Sequence, residues 1–202
     1  MAIKASAEQQ AALLELQRHD TALIQHAHKR SVVPEIAVVA ELEAKLAALD
    51  LKLVAINTEI SDLSLEQTKA DNDVQQVVNR AKKDQERIDS GSVTSAKEIE
   101  ALQHEIATLA KRQEELEDIE LAVMVKLDDA REAKAQLESE QSITSEQLES
   151  TVATRDAVFS EIDAEVATET AARTLAAATV DAELLSLYDK IRTDLGGIGE
   201  RF

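Results

Sequence analysis

Histidines are the residues in this chain best suited to chemistry. His19, His26 and His28 fall close together, and His104 stands far from them. Imidazole can ligate a metal or move a proton near neutral pH. Helical metal sites usually take histidines three or four apart and add further ligands. His19 and His26 are seven apart with Asp20 nearby, so they read as surface or seam residues. Gly196-Gly197-Ile198-Gly199 has the glycine content of a phosphate loop. It lacks the lysine and Ser/Thr of such loops and follows a helical pattern instead of a strand, so it reads as a helix stop and linker. The chain has no cysteine, which removes thiol nucleophiles, disulfides and thiolate metal sites. No Ser–His–Asp or paired-carboxylate grouping falls on a scaffold that would form a water-excluding pocket. No catalytic, cofactor-binding or metal residue is assigned, and the expectation is a protein that is not an enzyme.

The remaining chemistry is recognition. Asp89–Glu98 is rich in hydroxyls and carries the one clear reversal signal of the chain. Gly91 suits the left-handed conformation that ends helices. Ser90, Ser92 and Thr94 favour local bonds to backbone over continued helix. Ser95 with Glu98 has the spacing of a capping box that restarts a helix. Arg87, Ser90, Gly91, Thr94, Ser95, Lys97 and Glu98 are the candidate partner-binding residues of this tip. Around it, Arg80, Lys82, Lys83, Arg87 and Lys97 mix with Asp84, Glu86, Asp89 and Glu98, for a local net charge of +1. No aromatic side chain is present for base stacking, and the patch reads as ion pairing on helix surfaces.

The elements that must present this tip are long helices. The 202 residues are 44% hydrophobic and 31% charged, with one proline, four glycines and 1% aromatic residues. A globular core needs large side chains, whereas a narrow seam of Leu, Ile, Val and Ala does not. Ser6 with Gln9 has capping-box spacing and opens a first helix, with Leu13, Leu16, Leu23 and Ala27 inward, Leu14 and Ile24 widening the stripe, and Asp20 in one seam slot. Ser31-Val32-Val33-Pro34 interrupts it, as a kink or as a sharp reversal. Steps of three and four then run through Val39, Leu42, Leu46, Leu49, Leu53, Ile56, Ile60, Leu63, Gln67, Ala70, Val74, Val77, Ala81, Asp84 and Ile88. A seven-residue repeat held this long predicts a coiled-coil seam. A second seam runs through Ile99, Leu102, Ile106, Leu109, Gln113, Leu116, Glu120, Val123, Leu127, Ala130, Lys134, Leu137 and Gln141, with Ile119 compensating for Glu120. It continues loosely past Thr144, and Val180, Leu184, Leu187 and Ile191 restore a larger face. No glycine or proline falls between Ser92 and Leu195, which favours one continuous helix.

The expected fold is therefore all-α: a long antiparallel coiled-coil helical hairpin with an additional N-terminal helix. Residues 1–33 form that helix, packed on the far half of the long helix. Residues 34–88 are the first hairpin helix, 89–94 the tip, 95–195 the long second helix and 196–202 a Gly-rich linker. The two hairpin helices would be roughly 80 and 150 Å long. With Ile88 opposite Ile99, equal rise puts helix one opposite residues 157 to 181. A second placement packs helix one as a third helix on the hairpin or against another chain. Monomer and homodimer both fit.

Net charge is −18. Glu114 to Glu183 holds 19 Asp/Glu and 5 Lys/Arg. Such a surface repels phosphate backbones, so no nucleic-acid binding is expected from this chain alone. The acidic tract reads as a solvated face, with docking of a basic partner as the other reading. No apolar leader or membrane-length run is present. A soluble cytoplasmic protein that binds protein partners is expected.

The stretch Arg87-Ile88-Asp89-Ser90-Gly91-Ser92-Val93-Thr94-Ser95-Ala96-Lys97-Glu98-Ile99-Glu100-Ala101-Leu102-Gln103-His104-Glu105-Ile106 resembles the tip motif of a bacterial coiled-coil family that ends in a four-cysteine zinc ribbon. Leu13-Leu14-Glu15-Leu16-Gln17 with Asp20, and Leu187-Tyr188-Asp189-Lys190-Ile191-Arg192 before Gly196-Gly197, are similar to that family as well. The resemblance implies an adaptor or regulatory protein, in some bacteria tied to secretion, flagellar assembly or an alternative sigma factor. It implies that the chain was cut before the ribbon or has lost it, so zinc is expected only where that ribbon is present. An alternative function follows from it: a nucleic-acid-binding regulator whose binding the absent ribbon supplies.

Overall fold

The structure, a computed structural model, describes residues 5–194. It consists of helices α1 (Ala7–Ser31), α2 (Pro34–Asp89), α3 (Ala96–Ala177) and α4 (Ala182–Asp194), and the described residues include no strand. Two compact units are present. One is Lys45–Thr144; the other combines the described residues up to Ala44 with those from Ser145 onward.

Local chemistry sets the helix ends. The Ser6 side chain accepts from Gln9 N at 3.2 Å and starts α1. Glu8 in the first turn and His28, Lys29 and Arg30 in the last complement the helix dipole. The His28 carbonyl accepts from Val32 N at 3.2 Å and from Ser31 Oγ at 2.8 Å, which closes the helix. Pro34 opens α2, where its missing N–H costs nothing.

In the Lys45–Thr144 unit, α2 and α3 form the antiparallel hairpin. Arg80 pairs with Glu105 near the tip, and Lys45 pairs with Glu140 at the other end. All fifteen α2 seam positions and all thirteen α3 seam positions are buried or half-buried, which establishes the seven-residue periodicity in space. Leu63, Leu127 and Ala130 form the apolar centre, with Ile56 and Ile60 packed against it. Burying a leucine of this kind stabilises by about 1.5–3 kcal/mol.

In the other unit, α1 runs antiparallel to α3. Arg30 pairs with Asp163, Lys29 with Glu165 and His19 with Glu169.

Several side chains depart from the sequence expectation. Ala27 is exposed, and His26 takes the inward place one residue earlier. Leu14 is exposed, so the stripe on α1 is narrower than expected. Ile119 does not cover for Glu120: the isoleucine is half exposed, and Glu120 sits half-buried on the seam. Its methylene stem can line the seam while its carboxylate reaches water. Leu187 and Ile191 are also exposed, and α4 buries Leu184 with Leu185, Tyr188 and Asp189 half-buried.

The largest departure is a break in the expected continuous helix 95–195. At Thr179 and Val180 the backbone bonds tighten to Ala176 and Ala177 carbonyls, each 3.1 Å away. Asp181 then caps α4, its Oδ1 accepting from Glu183 N at 3.0 Å. Gln9 of α1 takes the backbone groups that the break frees. Its Oε1 accepts from Asp181 N at 2.9 Å, and its Nε2 donates to Thr179 O at 3.4 Å. A weakly helical Thr-Val pair, an N-capping Asp and a partner glutamine together replace the glycine or proline that a break usually needs. The expected Gly-rich linker 196–202 lies outside the described residues.

Candidate functional site

The tip is a closed turn with an open surface. α2 ends at Asp89, and Gly91 has φ 66°, the left-handed conformation. A Cβ at Gly91 would meet nothing within 4 Å, so backbone conformation alone demands glycine here. Ser90 Oγ and Ser92 Oγ donate to the Arg87 carbonyl at 3.2 and 2.9 Å. Two hydroxyls therefore satisfy a carbonyl that the helix leaves open. Val93 is buried at 7% exposure and anchors the loop. The bond from Glu98 N goes to the Ser95 carbonyl at 3.0 Å, so the capping box expected through the Ser95 hydroxyl is replaced by a backbone turn.

Arg87, Ser90, Gly91, Thr94, Ser95, Lys97 and Glu98 are all exposed. Arg87 lies 3.7 Å from Asp84. The side chains of Thr94, Ser95, Lys97 and Glu98 make no hydrogen bond or ion pair among the described residues. The turn spends its internal bonds on Ser90 and Ser92 and leaves these four side chains outward.

A second polar cluster was not anticipated as a unit. Asp20 of α1 is 3% exposed. Its Oδ1 accepts from Arg173 Nε of α3 at 2.7 Å and lies 2.8 Å from Arg192 Nη1 of α4. Its Oδ2 accepts from Tyr188 Oη of α4 at 2.8 Å. Arg173 also reaches Asp189 at 3.1 Å. One buried carboxylate thus joins three helices, and two guanidiniums against two carboxylates balance its charge. The Asp20 hydrogen bond raises the Arg173 pKa against the opposing effect of burial. Burial, followed by the bond to Asp20, pushes the Tyr188 phenol up to about 12. Beside the node, His19 Nδ1 lies 2.6 Å from Glu169 Oε2. A carboxylate only accepts, so Nδ1 carries the proton.

The signals for this node were separate in the sequence: a charged residue in a seam slot, the single tyrosine, and an arginine inside an Ala-rich section. Their convergence depends on the break at Thr179–Asp181, which has no glycine or proline to mark it.

Neither cluster resembles a catalytic centre. No group of three or more His, Cys, Asp or Glu among the described residues could hold a metal ion. The open depression on α1 is lined by Leu14, Gln17, Arg18, Thr21, Ala22 and Gln25 of a single helix, and Arg18 is paired with Glu15. No helix among the described residues is long and apolar enough to cross a membrane.

These features define an all-α coiled-coil hairpin. The model of the CT398-like coiled coil hairpin domain matches residues 16–196, and the chain belongs to that family. It is 30% identical over 204 residues to an uncharacterized protein of Mycobacterium tuberculosis strain H37Rv, covering 98% of this chain and 80% of that protein. A solved structure from Mycobacterium smegmatis is similar at TM-score 0.84 and 26% identity, covering 96% of this chain and 80% of the other. CT398 from Chlamydia trachomatis has the same fold at TM-score 0.67 and 18% identity, over 91% of this chain and 76% of that one.

Proposed function

We propose that this protein is a non-enzymatic coiled-coil adaptor of the cytoplasm that contacts a protein partner through its hairpin tip. The carrying observation is that Thr94, Ser95, Lys97 and Glu98 are exposed and unengaged on a turn locked from within. A preordered loop loses little conformational entropy on binding. The helices below it bury their apolar seam against each other. The net charge of −18 opposes phosphate backbones and favours a protein over a nucleic acid as partner. A zinc ribbon, where a longer relative carries one, would be a separate module.

Site-specific photo-crosslinking in cells tests the proposal. A benzophenone side chain at Lys97 should give one discrete protein adduct that is absent with the same group at Lys111. Equal labelling from both positions, or no discrete adduct from Lys97, would sink it.

A further inference from the structure

Polar contacts around Asp20 tie α4 to α1 and α3. Leu184 is its one buried hydrophobic residue, while Leu187 and Ile191 are 38% and 47% exposed. Against that stand the Tyr188 and Arg192 contacts to Asp20 and the Arg173–Asp189 pair. α4 has 13 residues, a length at which an isolated helix is marginal in water. Its helical state therefore depends on docking. The segment before it, Ala178–Asp181, is already out of the helix and can serve as a hinge.

We propose that α4 is a releasable arm and that Asp20 is its clasp: with the Asp20 charge removed, α4 leaves α1 and α3 and loses its helix. Without that charge, the two guanidiniums of Arg173 and Arg192 face the single carboxylate of Asp189 at one partly buried point. Their repulsion favours separation. Only α4 can separate readily, because α1 keeps further ties to α3 through His19–Glu169, Lys29–Glu165 and Arg30–Asp163. Release uncovers Asp20 and Arg173 for contacts outside the chain. The inference stands independently of the tip proposal, since none of its residues belongs to the tip.

Native-state hydrogen exchange on the full chain tests it. In Asp20→Asn, protection of the Leu185–Asp194 amides should fall about 100-fold, with α1 and α3 amides far less affected. A second variant, Tyr188→Phe with Arg192→Gln, keeps the Asp20–Arg173 pair and cuts only the α4 side. It should lower α4 protection about tenfold and leave α1 unchanged. Unchanged α4 protection in the second variant overturns the clasp. Parallel loss across α1, α3 and α4 overturns the releasable arm, because the three helices would then open as one unit.

Discussion

The Lys45–Thr144 hairpin and the α1–α3–α4 unit solve the same problem by opposite means. The hairpin repeats a small apolar contact many times, centred on Leu63, Leu127 and Ala130. The other unit concentrates its specificity in one buried carboxylate that meets Arg173, Tyr188 and Arg192. A repeated apolar seam is forgiving, since losing one layer leaves the others in place. A single charged node is not, because removing Asp20 takes the shared partner from Tyr188 and Arg192 and leaves Arg173 with Asp189 alone.

That contrast can be broken in order of expected effect. Asp20→Ala should cost about 3–5 kcal/mol, since it removes the buried partner that Arg173, Arg192 and Tyr188 share. Urea unfolding would show it, with the loss confined to the α1–α3–α4 unit if that unit melts separately. Leu127→Ala, at 1% exposure, should cost about 2–5 kcal/mol through lost burial and a cavity. Thermal melts that place Leu127→Ala below Val77→Ala would mean the seam centre is elsewhere. Gly91→Ala should cost about 1–2 kcal/mol from its left-handed backbone alone, since nothing obstructs the new methyl. Amides flanking the tip should lose protection first.

Two subtler tests sharpen the comparison. Thr144 is 1% exposed and its hydroxyl has no partner. Thr144→Val removes that orphan at nearly constant shape and should stabilise the hairpin by about 1 kcal/mol, read as a higher denaturation midpoint. The Tyr188 phenol carries the pH signature of the node. Its folded pKa of about 12 lies above the ordinary value near 10. Folding thus favours the protonated phenol. Its contribution is complete below about pH 10 and is lost as pH rises through the folded value. Wild type should lose more stability than Tyr188→Phe across that window; identical curves would detach the phenol from the node.

How much was legible differs between the two regions for the same reason. The hairpin repeats its signal, so single exceptions such as Gln67 and Asp84 do not hide the pattern. Both sit on the seam among apolar neighbours, half-buried and buried respectively. The α1 pattern is short, and there the inward position passed from the expected Ala27 to His26. A glutamine nine residues into the chain supplies the bonds that stabilise a break near residue 180. No local rule links them.

The amino-acid order by itself determined the class of fold, the heptad seam and the turn at Gly91, because periodicity, capping and left-handed backbone are properties of neighbouring residues. Only the tertiary structure decided that the long helix breaks before Asp181 and that Asp20, Arg173, Tyr188 and Arg192 share one point. A buried charge is satisfied by whatever the fold brings within 3 Å or so, and sequence distance has no bearing on that.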